Sequence, residues 1–128
     1  MSICVALWIG FLPLTGLALE AVQIRDVTLG TGLEIKQHSG IKIHYKAFIK
    51  DGPEIFSTHK IGLPFPIHMG IGETIAGLEE GLLGMRVGGK RILTIPPRLA
   101  YGEHGSLPLV PPNATLVMEV ELIEIYSY

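Results

Sequence analysis

Cysteine is all but missing from this sequence, and Cys4 is the only one. No disulfide can form within the chain, so a small fold here must draw its stability from a packed core. Charge is missing from the front. Residues 1–19, MSICVALWIGFLPLTGLAL, carry no charged side chain, and Glu20 is the first. An apolar run ending in Gly16-Leu17-Ala18 resembles the hydrophobic segment and small-residue cleavage site of a secretory signal. Residues 1–18 are therefore expected to be a signal peptide cleaved near Ala18, with one domain over 19–128. The product would be exported, to a periplasm or a secretory lumen. A membrane anchor is the alternative, which Pro13 and the short span fit less well; a folded N-terminal segment is the third option.

Other absences narrow the function. The formal net charge is −2, which leaves no electrostatic footprint for nucleic acid or an anionic membrane. Five histidines occur, none at HxH or HxxxH spacing and none with a useful cysteine, so no metal site is expected. No GxSxG elbow marks a serine nucleophile. GIGETIAG (70–77) follows a strand pattern and opens a helix pattern, as a dinucleotide loop does. The third glycine of GxGxxG would fall at Ile75, however, and no strand–helix–strand repeat follows, so no nucleotide cofactor is expected. Those glycines fit a tight turn that lets a ligand meet bare backbone amides.

What is present is period-2 alternation. IKIHYKAFIK (41–50) sets Ile41, Ile43, Tyr45, Ala47 and Ile49 against Lys42, His44, Lys46, Phe48 and Lys50, and Asp51-Gly52 supplies a hairpin turn. PFPIHM (64–69) alternates too, but Pro66 has no amide hydrogen, so this strand is expected at an edge or interrupted. KRILTI (90–95) and TLVMEVELI (115–123) are further strands, and two weaker ones are expected near 21–27 and 32–37. Only TIAGLEEGLLG (74–84) has helical spacing, with Ile75, Leu78, Leu82 and Leu83 on one stripe and Glu79 and Glu80 facing out. Its three glycines each cost about 1 kcal/mol relative to alanine, so it needs a sheet to lie against. The expected fold is α+β, a twisted antiparallel sheet of five to six strands wrapped around one short α-helix.

A loop of about twenty residues, IPPRLAYGEHGSLPLVPPNATL (95–116), separates the last two strands, longer than structureless loops usually run. Tyr101 lies in it. Tyr45, Phe56, Phe65 and Tyr101 come from separate strands and loops that an antiparallel sheet can bring together. They read either as ordinary core or as the lining of a site, where a buried tyrosine hydroxyl needs a partner.

YKAFIKDGPEIF (45–56), PFPIHMGIGETIAGLEEGLLGMRVGGKRILTIPPRLAYG (64–102) and VPPNATLVMEVELIEI (110–125) together resemble the macrolide-binding immunophilins, the FKBP-type peptidyl-prolyl isomerases. The resemblance runs from about Val22 to Ile125. It implies a pocket between the helix and the concave sheet face, lined at Tyr45, Phe56, Phe65, Ile67, Thr74, Ile75, Leu78, Tyr101 and Met118. Leu109 and Val110 would flank it. Tyr45, Phe56, Ile75 and Tyr101 would carry the catalysis, the Ile75 backbone N–H and the Tyr101 hydroxyl holding the bound peptide. The implied substrates are proline-containing unfolded or flexible polypeptides, the implied enzyme a monomer, and a macrolide a further ligand. The sequence departs from the family at Ser57, commonly acidic, at Leu78, commonly tryptophan, at Met118, commonly aromatic, and at Pro108, commonly glycine. These departures imply reduced macrolide affinity. They also keep open a binding module of the same fold, a chaperone or scaffold with little catalysis.

Overall fold

The computed structural model describes residues 21–127, so the proposed leader and its cleavage point lie outside the described residues. Six strands form one antiparallel sheet: β1 (Gln23–Thr28), β2 (Gly40–Ile49), β3 (Glu54–Ser57), β4 (Phe65–His68), β5 (Lys90–Ile95) and β6 (Leu116–Ser127). The spatial order is β1-β5-β6-β2-β3, with β4 also on β2. β3 and β4 share one side of β2, β3 against Lys46–Phe48 and β4 against Gly40–Ile43. Two short helices, α1 (Thr58–Ile61) and α2 (Ala76–Leu82), and a 3-10 turn at Pro97–Leu99 complete the described residues.

Alternation assigns the faces as the sequence implies. Ile41, Ile43 and Ala47 of β2 and Leu116, Met118, Val120 and Leu122 of β6 are buried, with Leu93 and Ile95 of β5 beside them. α2 lies across this apolar face and buries Leu78 and Leu82 against it. Close approach is the work of Gly77 and Gly81, one helical turn apart. A Cβ on Gly81 would stand 2.6 Å from Leu93 Cδ1, and one on Gly77 would press into Ile95 Cγ2. The glycines that weaken the isolated helix are the ones that let it reach the sheet. Arg91 fastens its far end: Nη1 donates to the carbonyls of Gly81 (2.8 Å) and Leu83 (2.9 Å), while Nε donates to Asp26 Oδ1 at 2.6 Å. A cation at the C-terminus complements the exposed helix carbonyls.

Several expectations need correction. The segment 32–37 forms no strand. It makes a single bridge, Glu34 with Arg86, because Gly30 and Gly32 bring this stretch against the 86–89 turn rather than into a ladder. α2 is shorter than the 74–84 stripe. Ile75 is its N-cap, and Leu83 follows the helix with extended backbone, so its side chain is 37% exposed. Glu79 is not fully outward, since its Oε1 is buried without a hydrogen-bond partner among the described residues. The turn at Asp51-Gly52 forms as expected. Asp51 takes φ 57° and Gly52 N–H donates to the Ile49 carbonyl at 2.8 Å, closing the β2–β3 hairpin.

Candidate active site

A cavity of about 170 Å³ opens between α2 and the concave face of the sheet. Tyr45 and Ala47 of β2, Ile55 and Phe56 of β3, and Leu116 and Met118 of β6 form its sheet wall. Thr74, Ile75 and Leu78 line it from the helix side. Tyr101, Ser106, Leu109 and Val110 come from the long β5–β6 loop. No charged side chain lines it, and its polar groups are hydroxyls and backbone.

Hairpin geometry builds the aromatic side. The turn at Asp51 returns β3 along β2 and sets Phe56 opposite Ala47. Tyr45 stacks on Phe56, with ring centroids 5.1 Å apart and planes inclined by 24°. Phe65 meets Tyr45 edge-on at 5.8 Å and 81°. Both arrangements suit the aromatic quadrupole. Burial pushes the Tyr45 hydroxyl above the ordinary tyrosine range, and the nearby Tyr101 hydroxyl adds to this. Tyr45 thus stays a neutral donor throughout physiological pH.

The backbone under Tyr45 is fixed from the opposite face. Thr58 Oγ1, 1% exposed, accepts the Tyr45 N–H at 2.9 Å and lies 2.8 Å from His44 Nδ1. His44 in turn stacks on His59 at 4.4 Å. At the helix start, the Ile75 carbonyl accepts from Leu78 and Glu79, while the Ile75 N–H has no partner among the described residues. That leaves a donor free at the cavity wall.

The long loop is ordered by its own hydrogen bonds. Gly102 N–H donates to the Pro97 carbonyl, Asn113 N–H to the Gly102 carbonyl, and Ser106 and Val110 exchange two bonds of 2.8 and 2.9 Å. The Ser106–Val110 pair closes a small flap. Its tip exposes Leu107 and Leu109, while Val110 is buried beneath. Gly105 takes φ +68° and packs against the Val110 and Pro111 backbone, where a Cβ would collide.

The sequence model of the family described as FKBP-type peptidyl-prolyl cis-trans isomerase matches residues 32–123. The chain belongs to that family. An FK506-binding protein of Neisseria meningitidis serogroup B is 41% identical over 104 residues, covering 81% of this chain and 95% of that protein. The peptidyl-prolyl cis-trans isomerase FKBP15-2 of Arabidopsis thaliana is 37% identical over 126 residues, 93% of this chain and 77% of that one. FK506-binding protein 4 of Chaetomium thermophilum is 44% identical, but the chain spans only 22% of its length. The crystal structure of AtFKBP13 superposes with a TM-score of 0.76 at 33% identity, covering 81% of this chain and 92% of that one.

For this FKBP-type isomerase, the cavity brings together most of the residues that the family resemblance implied: Tyr45, Phe56, Thr74, Ile75, Leu78, Tyr101, Leu109, Val110 and Met118. Two fall elsewhere. Ile67 is fully buried in the core and does not reach the cavity wall. Phe65, 39% exposed, touches the site through the edge of Tyr45 rather than lining it. Ala47, Ile55, Leu116 and Ser106 were missed. Ala47 and Leu116 could have been found, since they share the inward face of strands already assigned.

A larger recess, about 320 Å³, lies on the opposite face among Arg25, His44, Lys46, His59, Lys90, Glu119 and Glu121. Strand register sets Lys46 opposite Glu119 and Lys90 opposite Glu121, while Arg25 and Arg91 add further positive charge to its wall. It holds none of the aromatic constellation.

Proposed function

We propose that this isomerase accelerates rotation of X–Pro bonds in exported polypeptides by binding the twisted amide in the cavity beneath Tyr45, Phe56 and Tyr101. Rotation of a peptide bond faces a barrier of about 18–20 kcal/mol because conjugation must be broken, and unassisted X–Pro bonds take about tens to hundreds of seconds. The twisted amide has less charge separation than the planar one. A site that strips water therefore favours it over the ground state, and only such a difference accelerates the step. The observation that carries this reading is a cavity free of charged side chains, whose wall offers the Ile75 N–H, unpartnered among the described residues, and the hydroxyls of Tyr45, Thr74, Tyr101 and Ser106 as donors.

Exchange NMR on an excess of an Ala-Ala-Pro-Phe peptide tests it. Broadening of the cis and trans resonances at catalytic protein levels is expected, and Tyr101→Phe should reduce it without changing thermal stability. Unchanged lines with wild-type protein would refute the enzyme. The exposed Leu107 and Leu109 at the flap tip favour a second reading, a module that grips unfolded segments with little turnover. Peptide-induced shifts without exchange broadening would support it.

Export rests on the uncharged residues 1–19, and N-terminal sequencing from the native host is expected to begin near Leu19. Macrolide affinity is expected below that typical of the family. Leu78 and the flexible Met118 soften the wall where ring systems usually stand. Ser57, buried at 5% exposure with no hydrogen-bond partner for its Oγ among the described residues, supplies no carboxylate.

A further inference from the structure

β4 is an edge strand whose two outward amide positions are both accounted for. Phe65 and Ile67 pair inward with β2, and Met69 N–H donates to the Ser39 carbonyl. The intervening positions, Pro66 and His68, point away from the sheet. Pro66 has no N–H to offer. The His68 N–H is instead taken by Glu73 Oε2 at 3.1 Å, five residues onward. Between them the chain reverses through Gly70 at φ +85° and Gly72 at φ +74°, with Ile71 exposed. Glu73 is followed directly by Thr74 and Ile75, which line the cavity.

From this geometry we infer that Glu73 is a positioning residue for the isomerase: its carboxylate clamps the 70–75 loop to the edge of β4 and so presents the free Ile75 N–H to the peptide. The loop has few other ties. Among the described residues, backbone hydrogen bonds from outside the loop begin only at Met69 on one side and at the Ile75 carbonyl on the other. Two glycines in the left-handed region leave the intervening chain many alternatives, and a charge-assisted bond to a backbone N–H removes them. Glu73 does not touch the substrate. It acts by ordering, before binding, the segment that does, which lowers the ordering penalty of association. Loss of the clamp should weaken ground state and transition state alike, raising KM with kcat little changed.

The inference rests on the cavity being the prolyl site, and two measurements separate the two claims. In amide hydrogen exchange, the His68 N–H of the wild-type protein should be protected although no strand covers it, and Glu73→Ala should abolish that protection while Ile67 stays protected. In the Ala-Ala-Pro-Phe assay, Glu73→Ala should raise KM about three- to ten-fold, the range expected for one hydrogen bond. Glu73→Gln, which keeps an acceptor oxygen, should stay within about two-fold of wild type. Wild-type kinetics in Glu73→Ala, or equal losses in the alanine and glutamine variants, would overturn the positioning role. Should the wild-type protein bind the peptide without turning it over, the isomerase reading fails. The clamp is then judged by the same shift in peptide Kd.

Discussion

Replacing Gly77 with alanine reverses the usual consequence of that change in a helix. Alanine is favoured over glycine in a helix interior by about 1 kcal/mol, so a solvent-facing glycine would gain from it. Gly77 faces the sheet. Its new Cβ would press into Ile95 Cγ2 and stand 3.0 Å from the Leu99 carbonyl oxygen. Ile95 is fully buried and the carbonyl belongs to the backbone, so neither can swing into solvent. Overpacking of this kind costs about 1–3 kcal/mol, which at least cancels the propensity gain. The net expectation is a loss of up to about 2 kcal/mol, or a fall in Tm of up to about 15 °C for a domain of this size. Because Leu78 is the next residue and lines the cavity, backing α2 away from β5 should also lower kcat/KM. Urea unfolding followed by circular dichroism, with isomerase kinetics on the same samples, measures both. A Gly77→Ala protein more stable than wild type would refute the close-packing account of α2.

Two further outcomes are expected. Thr58→Val removes the hydroxyl that accepts the Tyr45 N–H and leaves that donor buried and unpaired, which should destabilise the fold by about 1–3 kcal/mol; a loss below about 0.5 kcal/mol would show the bond to be dispensable. Glu54 is held below the ordinary carboxylate range by its hydrogen bond to Lys60, with Nζ 2.6 Å from Oε2. A depressed carboxylate stabilises the fold above the ordinary range and loses that contribution as pH falls through its folded value. Acid titration of stability should therefore be shallower in Lys60→Met than in wild type, and identical curves would deny the pair any role.

The sheet was legible in the sequence wherever strands were long and one-sided. The alternation of β2 and β6 puts Ile41, Ile43, Tyr45, Ala47 and Ile49 on one face with Leu116, Met118, Val120 and Leu122, and all are buried except Tyr45 and Ile49, which are half-buried. β3 went unread because it has four residues, follows Pro53, and pairs with β2 through a register shift at Phe48. Local pattern cannot show such a strand when its partner supplies the ladder. α1 escaped for the same reason, being a single turn closed by Gly62. Alternation places Ile67 on the inward face but does not tell cavity wall from solid core, where it lies. The flap was foreseen as a loop over the site, but its closure by the Ser106–Val110 bonds depends on Gly105 backbone geometry that composition does not reveal.

If proline peptides are turned over in the cavity between α2 and the concave sheet, a nitrogen-15 correlation spectrum recorded during titration with the Ala-Ala-Pro-Phe peptide will report it. Shifts and exchange broadening are expected at the amides of Phe56, Ile75, Leu78, Tyr101 and Val110. Shifts confined to His59, Lys90 and Glu121, in the recess on the opposite face, would contradict it.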